Sequence, residues 1–64
     1  MKGIVVWFND DKGYGFIDYD GAEVFVHWTH IQTSGFKTLK KGEKVEFDLY
    51  ESGNKLEAKN VKKI

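Results

Sequence analysis

Two stretches of the sequence, KGYGFI at residues 12–17 and VFVHW at residues 24–28, decide the fold. Aromatic and β-branched residues favour extended backbone, so each stretch predicts a β-strand. Successive side chains of a strand point to opposite faces. Tyr14 and Phe16 are therefore expected on one face of the first strand, while Ile17 is expected on the other.

The second strand divides its residues in the same way, with Phe25 and His27 expected on the face opposite Val24 and Val26. The aliphatic faces of both strands predict a core. The aromatic faces are left towards water, where a contiguous apolar patch usually marks a binding surface. Flat rings beside the cation of Lys12 suit stacked nucleobases and a phosphate chain. The two stretches thus predict a surface for a nucleic acid strand.

Glycines and small polar clusters divide the rest of the chain into short apolar segments, a spacing typical of all-β proteins. The apolar run at residues 4–8 does not alternate, so a strongly coiled strand is expected there. Residues 29–42 predict a long connection with one helical turn near residues 29–32. Because open sheet edges are a liability, the strands are expected to curl into a small OB-like barrel. Five strands are predicted, near residues 3–9, 14–19, 23–28, 43–50 and 55–62.

The predicted barrel interior is aliphatic apart from one phenylalanine. Its members are Val5, Ile17, Val24, Val26, Ile31, Val45, Phe47, Leu49 and Val61. Seven further aromatic residues could also be core residues, as is common in small domains. At the packing density of protein interiors, however, this interior has little room for seven more large rings. The seven are therefore expected to form a binding surface: Trp7, Phe8, Tyr14, Phe16, Phe25, Trp28 and Phe36.

The composition predicts one small domain, residues 1–64, without cysteine and hence without disulfides or thiolate metal sites. The apolar run at residues 4–8 is too short for a signal peptide or a membrane span, so a cytoplasmic protein is expected. His27 and His30 have a His-x-x-His spacing, but at a strand end this does not bring both rings to one metal. No serine or threonine has recognisable catalytic partners, so neither enzyme activity nor a cofactor is expected.

Ten lysines balance ten acidic residues and there is no arginine, so the overall attraction to a polyanion should be weak. Asp10 and Asp11, next to Lys12, should lower the affinity for phosphate further. Binding led by stacking, with a shallow salt dependence, is therefore expected. Other acidic residues are expected at turns or on outer faces away from the rings, namely Asp18, Asp20, Glu23, Glu46, Asp48, Glu51 and Glu57.

A series of motifs along nearly the whole chain resembles the bacterial cold shock proteins, whose domain also occurs in eukaryotic Y-box proteins. The motifs are Gly3 with Val5, Trp7-Phe8-Asn9, residues 12–17, Val24-Phe25-Val26-His27, Gly35-Phe36-Lys37-Thr38-Leu39, and Ala58 with Asn60-Val61. Residues 12–17 and 24–27 resemble the two ribonucleoprotein motifs of that family. The resemblance implies a five-stranded antiparallel Greek-key OB-fold barrel. It also implies an ATP-independent RNA chaperone that binds single-stranded RNA and DNA with little sequence selectivity.

The resemblance further implies roles for individual residues. Lys12 is implied near phosphate, Phe8 at the edge of the stacking surface and Asn9 in a polar contact. Lys37, beside Phe36, is either a solvated surface lysine or a second phosphate contact. Base stacking is implied for Trp7, Tyr14, Phe16, Phe25, His27, Trp28 and Phe36.

Three departures from the family pattern bear on binding. Val6 stands where the family usually has lysine, so a lower affinity is expected. Trp28 replaces the commoner phenylalanine, and its larger ring could strengthen stacking. Lys55-Leu56 stands in place of Gly-Pro before the last strand, and the adjoining loop is expected to differ in shape.

Two other functions fit the same residues. An exposed aromatic face on a chain of zero net charge could dock a hydrophobic protein partner or a second copy of the chain. The chain could also be a diverged relative in which Val6, Asp10 and Asp11 have lowered nucleic-acid binding. The nucleic-acid interpretation predicts a monomer that binds single-stranded RNA and DNA, with neither a membrane nor a small-molecule partner.

Overall fold

A computed structural model of the chain describes residues 1–32 and 38–64. The predicted strands are confirmed with bounds that differ by at most two residues, and the predicted helical turn is a 3₁₀ turn at Trp28–His30. In the described ranges no helix is long and apolar enough to cross a membrane. The strands are β1 (Lys2–Asn9), β2 (Tyr14–Tyr19), β3 (Ala22–His27), β4 (Lys44–Ser52) and β5 (Lys55–Lys63).

The strands close a Greek-key barrel in the order β1-β2-β3-β5-β4. Neighbouring strands are antiparallel except at one seam, where β3 and β5 run parallel through Phe25 opposite Glu57 and Val26 opposite Ala58. An odd number of strands cannot alternate in direction around a closed ring, so a five-stranded barrel must contain a parallel pair. The predicted small five-stranded barrel is confirmed, with this one parallel contact in an otherwise antiparallel sheet.

A β-bulge at Val6 explains the apolar run in β1. Val5 is opposite Ile17 and Trp7 is opposite Phe16, which leaves Val6 as the extra residue of the pair. A bulge bends its strand and shifts the alternation of side chains by one position. As a result Val5 is buried, whereas Val6 and Trp7 are 41% and 43% exposed.

The barrel interior agrees closely with the predicted core. Leu49, predicted as buried, is partly buried and packs against the core. Leu39 and Ala58 are buried without having been predicted, because Leu39 lies in a connection without strand alternation and Ala58 is small. The buried hydrophobic residues of the described chain are Val5, Ile17, Val24, Val26, Ile31, Leu39, Val45, Phe47, Ala58 and Val61.

Candidate nucleic-acid interface

Four aromatic rings from β1, β2 and β3 lie together on the outside of the barrel. Trp7 meets Tyr14 edge-on at 5.5 Å between ring centroids and stacks on Phe16 at 6.2 Å. Phe25 stacks on Tyr14 at 5.6 Å and meets Phe16 edge-on at 5.9 Å. Each ring therefore contacts two others, and the four rings form one continuous apolar surface.

Strand pairing and side-chain alternation place these rings. Trp7 is opposite Phe16 in the β1–β2 pair, and Phe16 is opposite Phe25 in the β2–β3 pair. Within β2, Tyr14 and Phe16 are half-buried, while Ile17 is fully buried in the core. The predicted division of these strands into an aromatic and an aliphatic face is confirmed.

Gly15 allows β1 to lie close to β2 beneath the rings. A Cβ at this position would come within 2.1 Å of the Trp7 carbonyl oxygen and 2.6 Å of Phe8 Cα. Glycine is therefore required here by the lack of space. Phe8 is opposite Gly15 and packs against the core while remaining partly exposed. It forms part of the barrel wall beside the rings.

Asn9 shapes the turn between β1 and β2. Its Oδ1 accepts a hydrogen bond from the backbone N–H of Lys12 at 3.0 Å. Its carbonyl oxygen accepts from the N–H of Gly13 at 2.7 Å. The side-chain oxygen of Asn9 thus holds the backbone of exposed Lys12 in the turn before β2.

His27 and Trp28 extend the surface at the end of β3. His27 is opposite Tyr14, and its ring centroid lies 5.9 Å from that of Trp28. The backbone N–H of Trp28 donates to the Gly13 carbonyl oxygen at 2.8 Å, and the residue is 44% exposed. We call the following six side chains the aromatic face: Trp7, Tyr14, Phe16, Phe25, His27 and Trp28.

Thr29, two positions later in the chain, orients the imidazole of His27. Its Nδ1 lies 2.9 Å from Thr29 Oγ1 and accepts from the backbone N–H of Thr29 at 3.4 Å. The contact with the backbone N–H fits the tautomer in which Nδ1 carries no proton. Nε2 then carries the proton and can donate a hydrogen bond to a base.

A groove of about 660 Å³ continues the aromatic face from Phe16 and Phe25 towards the loop between β4 and β5. Leu56 and Lys55 both line this groove. Lys55 and Leu56, which stand where the family pattern has Gly-Pro, therefore border the site. The lining residues are Phe16, Ala22, Glu23, Phe25, Asn54, Lys55, Leu56 and Glu57.

The groove corrects the prediction that Glu23 and Glu57 lie away from the rings. Glu23 precedes Phe25 by two residues in β3 and so shares its face, as strand alternation requires. Glu57 lies directly opposite Phe25 across the parallel seam. These carboxylates repel phosphate, so the groove end of the surface suits bases better than the sugar–phosphate backbone.

Other predicted residues lie near or beyond the described part of the interface. Asp10 accepts a hydrogen bond from the hydroxyl of Thr38, which ties the β1–β2 turn to the end of the long connection. Phe36 and Lys37 lie outside the described residues.

Within residues 1–32 and 38–64, no group of three or more histidine, cysteine or acidic residues is placed to hold a metal ion.

Comparisons with known proteins agree with this architecture. The family model of the 'Cold-shock' DNA-binding domain matches residues 1–64. The chain is 57% identical to a cold shock-like protein of Aquifex aeolicus, over 97% of this chain and 91% of that relative. It is 51% identical to a cold shock-like protein of Thermotoga maritima, over 100% of this chain and 98% of that relative.

A solved structure shares the fold at lower sequence identity. Drosophila Unr CSD456 superposes with a TM-score of 0.80 at 22% identity, over 98% of this chain and 26% of that longer chain. The family shown by the sequence matches binds nucleic acid and is not enzymatic. On the match of its whole length and its identity to these relatives, the chain belongs to the 'Cold-shock' DNA-binding domain family.

Proposed function

We propose that the aromatic face binds single-stranded RNA and DNA by stacking their bases, with little sequence selectivity. The observation that carries the proposal is the mutual contact of Trp7, Tyr14, Phe16 and Phe25 on three adjacent strands, at centroid distances of 5.5–6.2 Å. Every base has a flat apolar surface, so stacking discriminates little between sequences. The proposed site comprises Trp7, Phe8, Asn9, Lys12, Tyr14, Phe16, Phe25, His27, Trp28, Phe36 and Lys37.

The balance of forces favours stacking over charge. Stacking contributes about 1–3 kcal/mol per base, as measured by alanine substitution. Exposed Lys12 lies in the turn before β2, and Lys55 lines the groove, where Glu23 and Glu57 offset its charge. Each phosphate contact of a single strand adds about −0.7 to the logarithmic salt slope, so a slope equivalent to about two or three phosphates is expected.

The dependence of binding on base stacking also supports an RNA chaperone function. Bases paired inside a duplex do not offer their flat surfaces to protein rings, so unpaired strands bind better than duplex. A protein that binds the open strand shifts the equilibrium away from the paired form by its differential affinity alone. Melting of RNA secondary structure then requires no ATP.

Titration of tryptophan fluorescence tests the proposal, because Trp7 and Trp28 both lie in the aromatic face. A short oligothymidine strand should quench the fluorescence saturably, while the matching duplex should not. Phe16→Ala should lower the affinity about 5- to 150-fold, the equivalent of one stacked base. Tyr50→Ala is the control, since Tyr50 is a 48% exposed aromatic residue of β4 outside the face.

A folded protein whose fluorescence does not respond to the single strand would contradict the proposal. Sedimentation of the same variants measures self-association and so tests the alternative that the aromatic face is a protein-interaction surface. If the chain self-associates and Phe16→Ala abolishes that association without changing affinity for the strand, the aromatic face is a protein contact instead. Circular dichroism establishes that each variant is folded before either comparison is made.

A further inference from the structure

The net charge of zero conceals an uneven distribution along the barrel. Six of the ten lysines lie at the start of β1, at the turn before β4, at the start of β4 and at the end of β5. Two glutamates, Glu43 and Glu46, lie among them. The rest of the sequence has four lysines and eight acidic residues. We call the following six residues the lysine patch: Lys2, Lys40, Lys41, Lys44, Lys62 and Lys63.

Strand pairing brings four of these lysines together from distant parts of the sequence. Lys2 and Lys62 lie opposite Glu46, one on each side of β4. Lys44 is opposite Ile4 of β1, and Lys63 is opposite Val45 of β4. These positions occupy three neighbouring strands, β1, β4 and β5, at the same end of the barrel.

The turn that carries Lys40 and Lys41 is held against the same strands. Its Gly42 N–H donates to the Val5 carbonyl oxygen at 2.7 Å, and the Val5 N–H donates to the Glu43 carbonyl oxygen at 2.9 Å. All six lysines of the patch are exposed. The turn therefore adds its two charges to those of the strands.

Most of this charge is not neutralised by ion pairs. In the described part of the chain one ion pair is formed, between Lys63 Nζ and Glu43 Oε2 at 3.3 Å. Glu46 offsets part of the charge of Lys2 and Lys62 without reaching ion-pair distance of either in the described structure. Asp18 and Asp48 border the patch, and the Asp48 carboxylate accepts from the side-chain amide of Asn60. The patch consequently retains a positive excess.

The patch adjoins the aromatic face along β1. Lys44 is opposite Ile4, and Trp7 follows three residues later in the same strand. At about 3.3 Å per residue this separation is roughly 10 Å. Between them lie Ile4 and Val6, which are 46% and 41% exposed and carry no charge. A polyanion that leaves the rings past Trp7 thus reaches the lysines over the uncharged side chains of Ile4 and Val6, beside Asp18 of β2, which is opposite Ile4.

We propose that the lysine patch binds the phosphate backbone of the nucleic acid whose bases occupy the aromatic face. The proposal rests on the proposed function of that face. Lysine recognises phosphate as a point charge and reads no base, so the patch takes phosphates of an unpaired continuation and of an adjoining duplex alike. The protein then holds unpaired bases and neighbouring backbone at the same time, as needed at the junction between a paired and an unpaired segment.

Three kinds of probe test the patch: a short oligothymidine strand, the same strand continued by abasic units, and the same strand continued by a duplex. Both continuations are made at the 5′ and at the 3′ end. Abasic units supply phosphates without bases, and duplex supplies phosphates with bases hidden. The triple variant Lys2→Gln, Lys44→Gln, Lys62→Gln is compared with the unchanged chain. Lys59→Gln is a control for charge loss outside the patch.

At low salt, continuation at one of the two ends should raise the affinity severalfold, and the salt slope should steepen by about two units, as for about three phosphates. The triple variant should lose this gain and bind the short strand as before, while Lys59→Gln should keep it. Equal gains in affinity from the abasic and the duplex continuation would support recognition of the phosphate backbone in both unpaired and paired segments. A gain from one source alone would contradict recognition of the other.

The proposal is wrong if no continuation binds more tightly than the short strand, or if the gain persists in the triple variant. Failure of the short strand to bind at all would instead contradict the proposed function of the aromatic face. Thermal unfolding of the triple variant establishes that the barrel is intact. The two proposals are thereby tested separately.

Discussion

The indole of Trp28 lies directly against the backbone of Gly13. A Cβ on Gly13 would come within 2.3 Å of Trp28 Cδ1, and the backbone N–H of Trp28 donates to the Gly13 carbonyl oxygen. Gly13 also has a φ of 76°, in the left-handed region that side chains rarely adopt. The turn before β2 and the last ring of the aromatic face are therefore positioned by the same contact.

Gly13→Ala should consequently impair both stability and binding. The left-handed backbone should cost about 1–2 kcal/mol of unfolding free energy. The added methyl group also displaces the indole, so the affinity for a short single strand should fall severalfold. Urea unfolding and a fluorescence titration measure the two effects.

Gly21→Ala is the matched control for this substitution. Gly21 has a φ of 86°, and a Cβ there would meet nothing within 4 Å. Its replacement should lower stability by a similar amount and leave affinity unchanged. Equal losses of affinity in the two variants would show that Trp28 placement does not depend on Gly13.

Val6→Lys should increase affinity for nucleic acid. The side chain of Val6 is 41% exposed at the bulge next to Trp7, so a lysine there can reach phosphate without leaving the surface. One added phosphate contact should steepen the logarithmic salt slope by about 0.7. Binding is measured at two salt concentrations. Val6→Gln, which has a polar side chain without charge, should leave the slope unchanged.

Thr29→Val should weaken binding by releasing the ring of His27. The substitution removes the hydroxyl that lies 2.9 Å from His27 Nδ1. Loss of one hydrogen bond of about 0.5–1.5 kcal/mol should lower affinity roughly two- to tenfold. Thr29→Ser keeps the hydroxyl and should retain affinity in the same titration. Similar affinities of the two variants would argue against orientation of the imidazole by Thr29.

Asn60 should prove important for stability and unimportant for binding of a short strand. It has a φ of 54°, donates from Nδ2 to Asp48 at 2.7 Å and accepts from Gln32 Nε2 at 2.9 Å. Asn60→Ala loses both hydrogen bonds and retains the strained backbone, at a cost of about 2 kcal/mol or more.

Asn60→Gly separates the two contributions. Glycine adopts the left-handed backbone without a steric cost, so this variant should be less destabilised than Asn60→Ala. Urea unfolding measures both variants. A glycine variant as unstable as the alanine variant would mean that the side-chain hydrogen bonds, and not the backbone, account for the cost.

The parts of the fold that depend on residues close together in the sequence were predictable from it. In β2 and β3 the alternation of aromatic and aliphatic residues predicts both faces, because side-chain direction follows from position along one strand. The core position of Phe47 follows in the same way from the charged residues on either side of it. The rings of Tyr14, Phe16 and Phe25 were predicted on this basis alone.

Features that depend on pairing between distant segments were not predictable in this way. Glu57 lies beside Phe25 only because β5 closes the barrel against β3, and no local pattern specifies that register. Nor does an uninterrupted apolar run reveal that Val6 is the bulged residue. The lysine patch likewise exists only after β1, β4 and β5 have assembled.

The parallel seam makes the two ends of the binding surface unequal in backbone pairing. Six residue pairs join β2 to β3 beneath the rings, whereas two pairs join β3 to β5 beside the groove. Parallel pairing is also slightly less stable per residue than antiparallel pairing. The rings therefore lie over the longer backbone pairing of the β2–β3 hairpin, while the groove between Phe25 and Leu56 lies over a seam that fewer backbone pairs hold together.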